Sequence, residues 1–326
     1  IGIIRLIRVR RTGARMKTNR FLRECRQSIL LIPAMALLLL FFVVPVFLTI
    51  FFSFTNMALT GATAKNYDIV GISNYIRLFK DKVALSVIKN TLFFLAGSLL
   101  GQQFVGFILA YCMRECSATF RRIVGPCILC GWVMPEIVVS LCMLAFFDME
   151  GTANTILKAI HLPVISWIFG FPMLTVILAN IWHGTAFSML NFQSALDHVP
   201  RDMEEAARVD GANRFQVLWH LLIPCMKQTI GMNTMLNTFS TLGVFGLIWA
   251  MTGGGPGNKT TTLSIYMYNA GMKNFQLGKG TAIGILILLL GGVCSIGYSF
   301  LFYEREKKSR RKFGKVKTTL AERREG

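Results

Sequence analysis

A short run of polar and aromatic side chains interrupts an apolar segment near residue 180. Asn180, Gly184 and Phe187 stand at positions 0, 4 and 7, which places an amide, a gap and an aromatic ring on one face of a helix. Trp182 and His183 accompany them. Amides donate and accept hydrogen bonds, and aromatic rings cover apolar surfaces. This face therefore suits a sugar, whose hydroxyl groups surround an apolar pyranose ring.

A second apolar segment further along the chain carries a similar face. Its members recur at positions 0, 4, 8 and 11: Asn233, Asn237, Thr241 and Val244. Polar side chains inside a membrane helix are costly and usually face the bundle interior or a water-filled cavity. The two faces together would line a hydrophilic passage. The same side chains also fit hydrogen bonds between helices, so both interpretations stay open.

Glu136 is the only acidic residue within the apolar segments, and it directly follows Pro135. A carboxylate at this depth must be paired, protonated or hydrated. A kink at the proline would bring it to a cavity. Three roles stay open: a contact between helices, a solute or gating contact, and a proton relay. The last would make the protein an ion- or proton-coupled secondary transporter.

Two closely spaced cysteine pairs are the candidates for a metal site: Cys112 with Cys116, and Cys127 with Cys130. They lie at the ends of apolar segments and no histidine accompanies them, so we expect packing contacts and no metal. Residues 253–262 nearly spell a phosphate-binding loop, but Asn258 stands where that loop requires glycine. We therefore expect no catalytic residue and no bound nucleotide in this chain.

The elements that must position these side chains are membrane helices. The chain is 53% hydrophobic and 16% charged, with a mean hydropathy of +0.53, which is not the balance of a soluble domain. Apolar runs close to the ~20 residues that a spanning helix needs recur along it. We predict an all-α membrane protein with six transmembrane helices, at about 29–52, 90–113, 123–147, 171–190, 228–250 and 280–303.

Basic residues set the predicted orientation. Most of the 35 lysines and arginines lie on one side of these spans, concentrated in the tails 1–28 and 304–326. Cytoplasmic segments carry such an excess, so both tails are predicted to be cytoplasmic and to flank a membrane domain over 29–303. We expect the tails to bind membrane lipid headgroups and not nucleic acid.

A charged loop at residues 198–226 follows the fourth predicted span on the same side. Acidic residues early in it favour a helix N-terminus, Gly211 interrupts the helix, and Pro224 ends a second amphipathic stretch that contains Phe215. Two short helices joined at a bend would project from the membrane. The same pattern also fits a helix lying in the membrane interface.

Residues Glu205-Ala206-Ala207, Gly211 and Pro224 stand at the spacing EAA-x3-G-x9-I-x-LP, with Leu221 and Ile223 in place of its Ile and Leu. This resembles the EAA loop of permease subunits of binding-protein-dependent ABC importers. The segments "VGISNYIRLFKD", "LPVISWI" and "MTGGGPGNKTTTLSIYMYNAG" are similar to the carbohydrate branch, the maltose-type permeases. The likeness covers roughly 28–303.

The resemblance implies a six-helix type I permease fold in a bacterial or archaeal cytoplasmic membrane. It also implies partners: a second permease chain, two ATP-binding subunits that hold ATP and Mg, and an external solute-binding protein. The loop would couple to the ATPase through Glu204, Glu205, Ala206, Ala207, Asp210, Gly211 and Phe215. The solute, a sugar or an anionic sugar such as an oligouronate or glycerol phosphate, would contact Asn180, Gly184, Phe187, Asn237 and Thr241.

Overall fold

The computed structural model describes the backbone of residues 32–325 and the side chains of residues 32–302. The predicted basic tail 1–28 lies outside the described residues. Side chains of the predicted tail 304–326 do too, although the backbone of the last helix runs on to Glu325. The described part is mostly helical and contains no β-strand beyond one isolated bridge, between Thr55 and Ile69.

The helices fall into spans and short connecting segments. In chain order they are α1 Ile32–Ser53, α2 Ser73–Lys80, α3 Lys82–Glu115, α4 Ala118–Val133, α5 Glu136–Phe146, α6 Thr152–Ala159, α7 Trp167–Gly170, α8 Pro172–Asp197, α9 Arg201–Val209, α10 Arg214–Val217, α11 Lys227–Gly243, α12 Gly246–Thr252, α13 Leu263–Tyr268 and α14 Leu277–Glu325. A π-helical turn, Leu218–Leu222, follows α10.

Four of these helices are long and apolar enough to cross a membrane, and the described chain has up to six spans if each bent helix pair counts as one. We number the spans accordingly: α1, α3, the pair α4 and α5, α8, the pair α11 and α12, and α14. Span 4 lies at the centre, packed along span 2 and against spans 3 and 5, while span 6 packs on spans 1 and 5.

Two spans predicted as single segments are bent. Span 3 turns by 102° between Val133 and Glu136. The cause is Pro135, which forces the preceding Met134 out of the helical region to φ −60°, ψ 136°. Span 5 turns by 47° at Val244, which is extended at φ −60°, ψ 115°. No proline marks that second break, but Gly243 and Gly246 flank it.

Small residues allow spans 2 and 4 to approach closely. A side-chain carbon added at Gly101 would lie 2.1 Å from Cδ1 of Ile181, and one added at Gly106 would lie 2.6 Å from Cβ of Ser188. Both distances are far below van der Waals contact. Glycines at these positions hold the two helices together by close packing, as they commonly do in membranes.

An ionisable cluster at the start of span 2 joins α3 to α13. The Asp81 carboxylate caps α3 through the amide of Val83 at 2.9 Å and accepts a hydrogen bond from Tyr266 Oη at 2.9 Å. The pKa of Asp81 is lowered mainly by the hydrogen bond from Tyr266. The Val83 amide and the Lys279 ammonium, 3.9 Å away, lower it less. Burial of the Tyr266 side chain, followed by the hydrogen bond to Asp81 and the charge of Asp81, raises the pKa of Tyr266 to about 12.

This cluster gives stability a pH dependence at both extremes. The ionised Asp81 stabilises the fold above its unfolded pKa of about 3.9, and that contribution is lost as pH falls through the lower folded pKa. The neutral Tyr266 stabilises the fold below about pH 10, and that contribution is lost as pH rises towards 12. We expect Asp81→Asn to lower the thermal unfolding temperature at pH 7. We also expect the unfolding temperature of this variant to decrease less than that of the wild type when the pH is lowered below 4.

Thermal unfolding of the purified protein in detergent measures this effect. The exposed Glu150, whose side chain makes no hydrogen bond within the described residues, supplies the matched control Glu150→Gln. Equal acid dependence in wild type and Asp81→Asn would contradict the assignment.

Candidate solute cavity and coupling loop

A cavity of ≈ 230 Å³ lies at the break in span 3, where spans 2, 4 and 5 also meet. Each of the four spans contributes to its wall. The lining residues are Gln102, Trp132, Glu136, Asn180, His183, Gly184, Phe187, Leu236, Asn237, Ser240 and Val244. The bend at Pro135 lies between two lining residues, with Trp132 before the break and Glu136 after it.

Seven of the side chains predicted for the passage converge on this cavity: Glu136, Asn180, His183, Gly184, Phe187, Asn237 and Val244. Three others do not. Trp182 lines a separate, mostly apolar cavity of ≈ 520 Å³ between spans 2, 3 and 4. Asn233 and Thr241 are buried within the helix bundle, away from the lining. Asn233 lies beyond the end of the cavity along span 5, whereas Thr241 lies between the lining residues Asn237 and Val244 but is buried among the helices. Helical periodicity gave neither the depth of the cavity nor the burial of Thr241.

Gln102 is the main cavity residue that the sequence did not single out. Its Nε2 donates a hydrogen bond to the backbone oxygen of Asn180 at 2.9 Å. A side-chain carbon at Gly184 would lie 2.3 Å from that nitrogen, so the glycine makes room for the glutamine. The available signal was the Gln102-Gln103 pair inside an apolar run.

The side-chain amide of Asn180 is the least satisfied polar group of the lining. Its residue is 3% exposed and its Nδ2 has no partner within the described part of the chain. A buried donor left unpaired costs about 1–3 kcal/mol. The lining therefore contains a hydrogen-bond donor that no group of the described chain uses.

An aromatic wall faces the same space. The rings of Trp132 and Phe187 lie 5.4 Å apart at 30° to each other, and Trp132 is 42% exposed. Amides and a flat aromatic surface therefore occupy one cavity. That combination binds a ring compound with polar edges and apolar faces.

Glu136 links the two bent spans. Its Oε2 accepts a hydrogen bond from the backbone N–H of Leu247 at 3.2 Å, and Ser140 Oγ donates to the Leu247 oxygen at 3.3 Å. A side-chain carbon at Gly246 would lie 2.7 Å from Oε2. Of the three roles open from the sequence, this geometry favours a contact between helices at the cavity wall.

A chain of amides joins spans 2, 4 and 5 one turn from the cavity, on its α9 side. Asn191 Nδ2 donates to Asn233 Oδ1 at 2.8 Å, and Asn233 Nδ2 donates to Gln103 Oε1 at 2.9 Å. Gln103 Nε2 in turn donates to Thr234 Oγ1 at 3.2 Å. Asn233 is thus a structural contact between helices.

Replacing Asn233 by leucine tests that role. The change removes the partner of Asn191 Nδ2 and of Gln103 Oε1 in a half-buried site, so we expect a loss of about 1–3 kcal/mol in unfolding free energy. Thermal or denaturant unfolding of the detergent-solubilised protein measures it, with Asn66→Leu at an exposed position as control. Equal stability of the two variants would show that the amide chain does not hold the spans together.

The loop at residues 198–226, which we call the elbow, bends where predicted. Gly211 has φ +87° with open space around it, a conformation that favours glycine. Asn213 and Gln216 form reciprocal caps at the start of α10. Apolar side chains at Val209, Phe215 and Trp219 are 87%, 75% and 62% exposed.

Of the predicted coupling residues, Glu205, Ala206, Asp210, Gly211 and Phe215 are exposed and Ala207 is half-buried. Glu204 differs, since it is only 7% exposed and forms an ion pair with Arg114 at the end of span 2. It is therefore a contact inside the chain, and its predicted role in coupling would act through Arg114. Local spacing does not predict this ion pair, because Arg114 lies 90 positions earlier in the chain.

Residues 102–306 match the family model described as binding-protein-dependent transport system inner membrane component. The chain belongs to this family. Its members are transport permeases and not enzymes, so the protein is a multi-pass membrane transport subunit. The resemblance drawn from the EAA-spaced residues is confirmed at the level of the family.

Several relatives are named as sugar-transport permeases. The multiple sugar-binding transport system permease of Streptococcus mutans is 31% identical over 82% of this chain and 91% of its own length. The sulfoquinovosyl glycerol permease of Agrobacterium fabrum is 29% identical over 80% and 85%. The trehalose/maltose permease of Thermococcus litoralis is 28% identical over 82% and 90%.

Solved structures support the predicted fold. A chain of the bacterial alginate ABC transporter, in complex with its pentasaccharide-bound periplasmic protein, superposes with a TM-score of 0.72. The match is 22% identical and covers 86% of this chain and 94% of that one. At this identity the likeness establishes the ABC importer permease fold alone. The matched structures are ABC importers and give no support to the alternative of a secondary transporter.

Proposed function

We propose that this chain is the transmembrane subunit of an ATP-driven importer that takes an uncharged sugar or oligosaccharide from an external binding protein. The observation that carries the proposal is the cavity in which Asn180, Phe187 and Asn237 converge from spans 4 and 5. These two spans flank the elbow, so motion of the elbow reaches the cavity wall. The sugar-permease relatives support the same solute class.

The cavity's charge favours a neutral solute. Glu136 is the one acidic residue in the lining, and no lysine or arginine of the described chain lines it. A carboxylate disfavours an anion in a low-dielectric site, and nothing in the wall offsets it. An anionic sugar is the second candidate, favoured by the named relative that transports sulfoquinovosyl glycerol.

The elbow is the proposed contact with the ATPase. Val209, Phe215 and Trp219 expose apolar side chains along the elbow, and Glu205 and Asp210 are exposed in the same segment. Exposed apolar side chains on a polar loop are typical of a contact with another protein. Two ATP-binding subunits would hold ATP and Mg there. A second, non-identical permease chain would complete the passage, with this chain's termini on the cytoplasmic side of a bacterial or archaeal membrane.

Uptake by the reconstituted complex tests the proposal. The complex of both permease chains, the ATPase subunits and the binding protein is placed in liposomes and offered matched neutral and acidic oligosaccharides. We expect ATP-dependent uptake of the neutral series, reduced by Asn180→Leu. Uptake driven by an ion gradient without ATP would refute the importer assignment, and preference for the acidic series would refute the neutral solute.

A further inference from the structure

Arg114 occupies the point where span 2, span 4 and the elbow meet. Its guanidinium donates to the backbone oxygen of Leu196 at the end of α8, to the oxygen of Val199 at 3.0 Å, and to the carboxylate of Glu204 on α9. Arg114 is 3% exposed. One side chain therefore holds three segments of the chain through charge-assisted hydrogen bonds.

The link is reciprocal. Arg201, the first residue of α9, donates from Nη2 to the backbone oxygen of Arg114 at 3.1 Å. The last carbonyl groups of a helix have no partner within the helix. Arg114 thus satisfies the end of α8 and Arg201 satisfies the end of α3, so each arginine joins two helix ends.

This arrangement has a mechanical consequence. Only residues 198–200 connect α8 to α9, so other contacts must fix the angle between the two helices. Arg114 supplies those contacts on one side of the elbow. On the other side, Gly211 separates α9 from α10, which leads into span 5.

We propose that Arg114 is a positioning residue that makes α9 move together with the ends of spans 2 and 4. Spans 2 and 4 carry Gln102, Asn180 and Phe187 of the cavity, and span 5 carries Asn237. A displacement of α9 by a partner therefore reaches the wall of the cavity through spans 2 and 4. The inference rests on the proposed contact between elbow and ATPase.

The test measures solute transported per ATP hydrolysed by the full complex in liposomes. Arg114→Met is expected to lower this ratio by about tenfold, within the usual range of coupling between sites. Glu204→Gln keeps an oxygen that accepts from the guanidinium, so it retains most of the ratio. The exchange Arg114→Glu with Glu204→Arg does not restore coupling, because a carboxylate at position 114 cannot donate to the Leu196 and Val199 oxygens.

A second ion pair provides the matched control. Arg121 and Asp197 lie 2.7 Å apart and join the start of α4 to the end of α8, but they are partly exposed and do not touch the elbow. Arg121→Met is expected to keep the wild-type ratio. Hydrogen exchange of the α9 amides in the nucleotide-free complex should rise in Arg114→Met and stay unchanged in Arg121→Met.

A merely structural Arg114 would give a different result. Arg114→Met would then lower the amount of assembled complex but leave both the solute transported per ATP and the hydrogen exchange of α9 unchanged. That result overturns the inference, provided that Gly211→Pro uncouples transport from ATP hydrolysis in the same preparation. Wild-type coupling in Gly211→Pro would instead overturn the proposed function. Should Arg114→Met not assemble, the pair Arg114→Met with Glu204→Leu carries the test, since it leaves no unpaired buried charge.

Discussion

Replacing Gly211 by proline is expected to abolish ATP-driven uptake while leaving the cavity intact. Proline fixes φ near −65°, whereas Gly211 has φ +87°. The change also removes the amide that donates to the Arg208 oxygen at 3.0 Å. The bend between α9 and α10 cannot form, so the apolar surface around Phe215 loses its shape. Uptake and ATP hydrolysis by the reconstituted complex are the measurements.

The chain offers a matched control for this glycine. Gly61 has φ +83° and, like Gly211, open space around its Cα, but it follows span 1 and lies away from the elbow. Proline there imposes the same backbone conflict. We expect Gly61→Pro to keep uptake coupled to ATP hydrolysis. Equal uptake per ATP in Gly211→Pro and wild type would remove the elbow from the coupling path.

Replacing Gly184 by leucine is expected to block the cavity. A side-chain carbon at this position would lie 2.3 Å from Gln102 Nε2, so leucine must displace the glutamine from the Asn180 oxygen and occupy part of the ≈ 230 Å³ space. Uptake should fall on the order of 100-fold, near the upper end of what one added group in a pocket costs. Transport assays at saturating external binding protein measure this.

Gly292 in span 6 supplies the control for that change. Nothing lies within 4 Å of a side-chain carbon built there. We expect Gly292→Leu to transport normally. We also expect Gly184→Leu to assemble with its partners and to hydrolyse ATP, because the elbow does not contact the cavity wall. Normal uptake by Gly184→Leu would show that the solute takes another route, such as the apolar cavity beside Trp182.

The sequence predicted the features that depend on local spacing. Apolar runs located the spans because bilayer thickness fixes their length. Helical periodicity put Asn180, Gly184 and Phe187 on one face, and the structure brings all three to one cavity. Gly211 marked the bend because it interrupts a helical pattern between charged and amphipathic halves.

Tertiary structure alone decided which faces meet and how deep each side chain lies. Glu204 and Glu205 are neighbours with the same chemistry, yet one is buried against Arg114 and the other is exposed. Asn233 and Asn237 share a face, yet only Asn237 reaches the cavity. Periodicity gives the direction of a side chain around its own helix. Contacts across tens of residues, such as Arg114 with Glu204, depend on helix crossings that no local pattern encodes.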